Sequence, residues 1–346
     1  MARIADVAKL AGVSTATVSA VVNGQDIVRP LTRRRVLEAI RKLNYQPNLY
    51  ARSLACGRSN MLGLVISDIV NPFFSEIAQI VQVEANRRGY QVFMSATQFS
   101  LDRLHAAVNH MLGMRADGLV IMTTEMDNET LKIIGTRGMP VVFEDVGTVD
   151  AVTSNIRIDY EGGIFRAVHC LAELGHRDLL YVENPPAALD PAHMLSLRLR
   201  AEAFDKAVAG CRGVRAHRIS SPGPAFQAGV KVAAEALARF RFTGAVVCAD
   251  PIAVGFVRGL RRAGCNVPRD VSVIGFDNSP HCEYTDPPLT SVGIPREAIA
   301  RRAVESLVGM IEEGKPGNEI DIPTELVMRD SIARPPRRRG APLNAR

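Results

Sequence analysis

Apolar residues recur at helical spacing three times within residues 1–45. Ile4, Val7, Ala8 and Ala11 share one face of a first predicted helix, which Gly12 ends because glycine can turn left-handed without a Cβ clash. Ser14 stands in the N-cap position of a second helix over residues 15–22, stopped by Asn23-Gly24. A third helix is predicted with Thr32 as N-cap and Val36, Ala39, Ile40 and Leu43 along one face. Small Ala8, the Gly12 turn and Val18 give the first pair the spacing of a helix-turn-helix. From residue 61 the pattern changes. Apolar runs at 62–67, 91–95, 118–122, 140–143, 179–182, 245–248 and 271–275 read as buried strands, with helical stretches such as 73–88 and 160–174 between them. That alternation predicts a doubly wound α/β body. Between the two parts, Pro47 to Gly57 is a helical pattern too short to be stable alone.

Charge sharpens the division. Residues 1–60 hold ten basic residues against three acidic ones, and residues 334–346 add five arginines and no acid, while the middle is acidic. A basic head on an acidic body points to a polyanion as the partner of the head alone. In the helix-turn-helix reading the second helix enters the major groove, so its outward residues Thr15, Ala16 and Ala20 are the candidate base readers. Thr can bond a base edge or touch a thymine methyl, whereas Ala offers apolar contact only. Ser14, Thr17, Asn23 and Arg33 are candidate phosphate contacts; for the arginines at 33–35 simple solubility is the alternative. With so few strong readers, specificity is expected to lean on DNA shape as well.

The ordered segments Asp6-Val7-Ala8, Ala11-Gly12-Val13-Ser14, Thr17-Val18-Ser19, Val22-Asn23-Gly24, Asn44-Tyr45-Gln46-Pro47-Asn48 and Ala51-Arg52-Ser53-Leu54 resemble the lac repressor family of bacterial transcription regulators. The resemblance continues through Asp68-Ile69-Val70-Asn71-Pro72-Phe73-Phe74, Gly175-His176-Arg177, residues 198–204 and 267–277, and closes at Arg329-Asp330-Ser331. It implies a helix-turn-helix head (1–45), a hinge (46–60) and a periplasmic-binding-protein-like body (61–333) of two Rossmann-like lobes, with a disordered basic tail (334–346). The lobes would take about 61–160 plus 291–320, and 161–290 plus 321–333. It also implies that Leu54 is a minor-groove wedge, formed when two hinges pair on an operator; an inserted apolar side chain unstacks a base step and bends the duplex. Ala55 departs from the basic residue that a relative carries there.

In such a body a ligand sits beyond the carboxyl ends of the strands. Asn71 and Phe73 follow the first strand, Asp250 and Asp277 follow two later ones, and Arg200 matches the family's ligand-contacting arginine. Ser196 is a further candidate effector contact, and Arg157 stands where relatives often carry Asp. Each has a structural alternative: Phe73 as core, Asp250 as a helix cap, Arg200 or Asp277 as a lobe–lobe ion pair. If Arg157 faces the cleft beside Arg200, two cations favour an anionic ligand, so the expected effector is a sugar or sugar acid. Met194 replaces an arginine of a purine-binding relative, which weakens a purine effector.

No GxGxxG follows a strand and no HExxH or GxSxG occurs, so an enzyme reading has no motif to stand on. The six cysteines are scattered without a CxxC pair, so neither a metal nor a cofactor is expected. An exported sugar-binding protein would share the body, but the start lacks an apolar leader and no run reaches the roughly 18 apolar residues of a membrane span. A cytoplasmic regulator with no membrane partner is expected. Its partners would be a pseudo-palindromic double-stranded operator, a small-molecule effector and a second copy of the chain.

Overall fold

The computed structural model describes residues 2–46, 57–135, 138–145, 149–185, 194–223 and 225–336, and it divides at residue 60 into a head and a body. Leu54, Ala55 and the tail beyond residue 336 lie outside the described residues.

The head is three helices, α1 (Ile4–Ala11), α2 (Thr15–Val22) and α3 (Pro30–Lys42). Their shared core is Val7, Ala8, Ala11, Val18, Val21, Val36 and Ala39, which places the predicted apolar stripes against one another. α3 starts earlier than its sequence pattern suggests. Arg29 is its N-cap and Pro30 its first helical residue, where a missing N–H costs nothing, so Thr32 lies inside the helix.

The body holds two six-stranded sheets. The first contains β1 (Met61–Ile66), β2 (Gln91–Ala96), β3 (Gly118–Met122), β4 (Val141–Glu144), β5 (Thr153–Ile158) and β11 (Glu319–Ile322), in the order β11-β5-β4-β3-β1-β2. The second contains β6 (Asp178–Glu183), β7 (Arg215–Ser220), β8 (Gly244–Val247), β9 (Ser272–Asp277), β10 (Thr290–Gly293) and β12 (Glu325–Val327), in the order β12-β10-β9-β8-β6-β7. Pairing is parallel throughout, for example Leu62 with both Val92 and Gly118, except that β12 runs antiparallel to β10. Fully buried stretches such as Leu64, Val65 and Ile66 are what a sheet covered on both faces requires.

Helices α4 (Pro72–Arg87), α5 (Leu101–Gly113), α6 (Asn128–Gly135) and α12 (Arg296–Glu313) accompany the first sheet. Helices α7 (Tyr160–Leu174), α8 (Leu195–Gly210), α9 (Ala225–Arg239), α10 (Asp250–Arg262) and the single turn α11 (His281–Tyr284) accompany the second. α9 and α10 approach so closely that a Cβ on Gly255 would lie 2.1 Å from the Phe226 carbonyl oxygen, and one on Gly229 would lie 2.2 Å from that of Ile252. The chain passes between lobes three times: from β5 to α7, from β10 to α12, and from β11 to β12. β10 pairs with β9, so the return to the first lobe comes after Gly293 rather than at residue 291. No single helix among the described residues is long and apolar enough to cross a membrane.

Candidate functional site

In the head, α1 and α2 meet at 103°. Gly12 makes the corner at φ 63°, and its N–H caps the carbonyls of Ala8 and Lys9. A Cβ at residue 12 would approach the Arg35 guanidinium to 2.8 Å, and Arg35 itself donates to the Ala11 carbonyl. The Ser14 Oγ then accepts from the Thr17 N–H at 3.1 Å and fixes the start of α2. This leaves Thr15 and Ala16 exposed on the first turn, the geometry by which a helix N-terminus can reach base edges.

The remaining head candidates are placed differently. Ala20 is 6% exposed, although it lies one turn on from exposed Ala16 and outside the cluster that Val18 and Val21 share, so little of it is open to a base edge and its expected base-reading role is corrected on exposure alone. The Ser14 and Thr17 hydroxyls bond each other at 2.9 Å, and the Asn23 amide donates to the Ser19 Oγ at 3.3 Å. Arg33 donates to the Gln25 carbonyl and lies 3.4 Å from the Asp26 carboxylate, so it braces the α2–α3 turn.

In the body, a cavity of about 450 Å³ lies between the carboxyl ends of the two sheets. Asp68, Asn71, Phe73, Phe74 and Glu144 line it from the first lobe, and Asn184, Ser196, Arg200, Phe226 and Asp277 from the second. Asn71 caps α4 by accepting from the Phe73 N–H at 3.1 Å. That cap delivers Phe73 and Phe74 to the wall edge-on to each other, with centroids 5.2 Å apart. The close α9–α10 contact holds Phe226 opposite, so apolar ring surface borders the cavity from both lobes.

Arg200 is buried, its guanidinium 4.7 Å from the Tyr160 ring centroid and 4.6 Å from that of Phe276. Its Nη1 donates to the Cys248 carbonyl at 2.6 Å, and its Nε finds no partner among the described residues. A planar cation between two rings is held without a paired carboxylate. Asp277 sits at the end of β9 with φ 107°. Arg296 stabilises that left-handed backbone by donating to the carbonyls of Asp277 and Asn278, while its Nε meets the Glu76 carboxylate at 2.7 Å. Burial pushes the Asp277 carboxyl up to about 8, against the pull of Arg200.

Two expected effector contacts are elsewhere. Arg157 points away from the cavity and pairs with Asp321 at 2.6 Å and Glu319 at 3.6 Å, because β5 and β11 are neighbours in register. The two-cation argument for an anionic ligand therefore fails. Asp250 is wholly buried at the start of α10 and does not line the cavity; it accepts from the Ser279 N–H and the Ser291 hydroxyl, each at 2.6 Å. It ties α10 to β10 and to the loop after β9; Ala249 is the N-cap of α10, so Asp250 is neither an effector contact nor the cap of its helix. Sequence reasoning missed Asp68, Glu144 and Arg296 as site residues; Asp68 opens the segment that holds Asn71 and Phe73, whereas Glu144 and Arg296 belong to no local motif. A separate surface group, His105, Asp127 and Glu129, brings its ligand atoms within 4.8 Å of one another, but Asp127 is already engaged by His105 and by the Thr130 N–H at the start of α6.

Residues 3–48 match the bacterial regulatory proteins of the lacI family, and residues 168–332 match the periplasmic binding protein-like domain. The chain is 31% identical to the HTH-type transcriptional repressor PurR of Histophilus somni over 336 residues, spanning 96% of this chain and 99% of that protein. Among solved structures, the lac repressor dimer bound to operator and the anti-inducer ONPF superposes with a TM-score of 0.83 at 26% identity, covering 96% of this chain and 99% of that one. The transcriptional regulator CelR in complex with cellobiose gives a TM-score of 0.70 at 28% identity, covering 96% and 100%.

Proposed function

The chain belongs to the lacI family of bacterial regulatory proteins and is a DNA-binding transcriptional repressor, and from that premise we propose that a cytoplasmic homodimer of it binds a pseudo-palindromic operator under the control of a sugar held in the cleft. Each head would place Thr15 and Ala16 on a half-site, with Ser14, Thr17, Asn23 and Arg33 orienting the helix near phosphates. Two heads reading two half-sites require two copies of the chain. No catalytic step is assigned.

The observation that carries the effector reading is the composition of the cavity wall. Phe73, Phe74 and Phe226 offer surfaces on which a sugar ring can stack, and Asn71, Asn184, Ser196, Arg200 and Asp277 offer convergent polar groups around it. A volume of about 450 Å³ suits a ligand of one or two sugar rings. Closing the lobes on such a ligand would change the separation of the two hinges and with it the pairing of Leu54; a coupling of about 1–3 kcal/mol makes a useful switch.

Selection of duplexes from a random pool by the purified chain should yield a two-fold-symmetric site whose affinity falls steeply with salt. Leu54→Ala should weaken binding to that site and leave ligand affinity unchanged. Absence of any sequence preference in the selected pool would overturn the proposal.

A further inference from the structure

Buried carboxylates elsewhere in the body are supplied with donors. Glu125 accepts from the Ser67 hydroxyl at 2.8 Å and from that of Thr97, and Asp250 accepts from Ser279 and Ser291. The end of β4 is different. Glu144 Oε1 accepts from the Tyr160 hydroxyl at 3.1 Å, but Oε2 is buried and has no donor among the described residues. The next residue repeats the pattern: Asp145 Oδ1 takes the Ile158 N–H at 3.3 Å, and Oδ2 has no donor within hydrogen-bond geometry among the described residues. The Tyr160 hydroxyl lies beside both carboxylates, but it has one hydrogen to give and gives it to Glu144. An unsatisfied buried polar atom costs on the order of 1–3 kcal/mol. Two on consecutive residues call for an occupant that supplies the missing hydrogens.

The position of Glu144 says where that occupant sits. Its side chain lines the ligand cavity, and it also lines a smaller adjoining cavity that Asp145 and Ser196 share. Among the described residues, the charged groups on the large cavity's wall are three acids, Asp68, Glu144 and Asp277, and one cation, Arg200. Arg200 gives its Nη1 to the Cys248 carbonyl and its faces to two aromatic rings, so only its Nε remains to offer a ligand. An anionic ligand would hold these carboxyls in their neutral form and gain nothing from them, and a neutral hydroxyl would bring one hydrogen without charge. An ammonium brings three donors and the opposite sign, into a place where water competes poorly.

Resting on the sugar-cleft reading above, we propose that the effector is an amino sugar or a similarly hydroxylated amine whose protonated nitrogen donates to Glu144 Oε2. The sugar ring occupies the space between the aromatic walls, and the nitrogen points toward the end of β4. Burial, reinforced by the charge of Asp145, pushes the Glu144 carboxyl up to about 8, a shift that an adjacent ammonium would oppose. Tyr160, Arg200 and Asp277 are the other titratable or charged groups that act on it.

The test is calorimetric titration of the full chain with matched probes: glucosamine against glucose, galactosamine against galactose, and gluconate as the acidic member. At least one amine should bind roughly tenfold more tightly than its parent hexose. Glu144→Gln, which keeps the shape and loses the charge, should erase that difference. Tyr160→Phe, which removes the other partner of Glu144 and keeps the carboxylate, should preserve it. The proposal is overturned if a parent hexose or gluconate binds as well as the amines, if the amine preference survives Glu144→Gln, or if neither amine binds. Asp277→Asn separates the two levels. Hexose binding that this change abolishes leaves the cleft reading standing even when the amine claim falls, whereas binding that it leaves untouched removes both.

Discussion

The head and the cleft place their recognition groups in opposite surroundings. On α2 the groups offered for recognition, Thr15 and Ala16, are exposed and small, and everything beneath them is packed or bonded: Gly12 turns the chain, Ser14 caps the helix, and Arg33 and Arg35 tie down loops. In the cleft the groups are large, charged and buried, and several polar atoms are left incomplete, including Arg200 Nε and Glu144 Oε2. A surface that meets a long polymer can afford finished chemistry, because affinity accumulates over many weak phosphate contacts. A cavity that meets one small molecule must draw its selectivity from a few desolvated groups.

That contrast can be broken in four places. The largest effect is expected from Gly255→Val: with backbone 2.1 Å from the new Cβ, α9 and α10 must separate, costing about 3 kcal/mol in thermal unfolding of the body and displacing Phe226. Operator binding by the head should then be lost only with body unfolding. A pH series comes next. The Glu144 carboxyl is raised from 4.5 to about 8 in the folded chain, so the folded state holds more protons than the unfolded state across that window. Its contribution to stability is fully present below about 4.5 and is lost as pH rises toward 8, so the melting-temperature advantage of the parent over Glu144→Gln should shrink from acid to mildly alkaline buffer. A difference that grows with pH would contradict the burial argument. Ser14→Ala removes the cap of α2 and should cost the head about 1 kcal/mol, read as weaker operator binding with body stability unchanged. Smallest of all, Arg157→Ala should alter neither ligand affinity nor melting temperature measurably, since its partners are exposed carboxylates outside the cavity.

How far the sequence reveals this molecule depends on how local the determinant is. The head helices and the buried strands β1, β3, β8 and β9 follow apolar patterns that a few neighbouring residues settle. β5 and β7 escape that reading for two reasons. β7, Arg215-Ala-His-Arg-Ile-Ser, is an edge strand with one buried residue. β5 buries Thr153, Ser154 and Asn155, and the partners of the last two, Ser306, Asn318 and Glu319, lie far along the chain. The cleft divides in the same way. Asn71, Phe73, Arg200 and Asp277 are marked by strand ends and by resemblance, and the structure brings all four to one cavity. Arg157 is misleading because only the β5–β11 register, set by a crossing of the chain, supplies its acids. Ala20 misleads for a smaller reason: periodicity puts it on the face of exposed Ala16, and its slight exposure comes from neighbours that the helical pattern does not reveal. Glu144 gives no signal at all until β4 is set beside the ligand cavity.

Three passages of the chain between the lobes have a mechanical meaning. One strap would let the halves twist, slide and bend independently, whereas three restrict the ways in which one half can move against the other. The wall around Glu144 and Phe226 can therefore be rewritten for a new metabolite without rebuilding the linkage that carries the message.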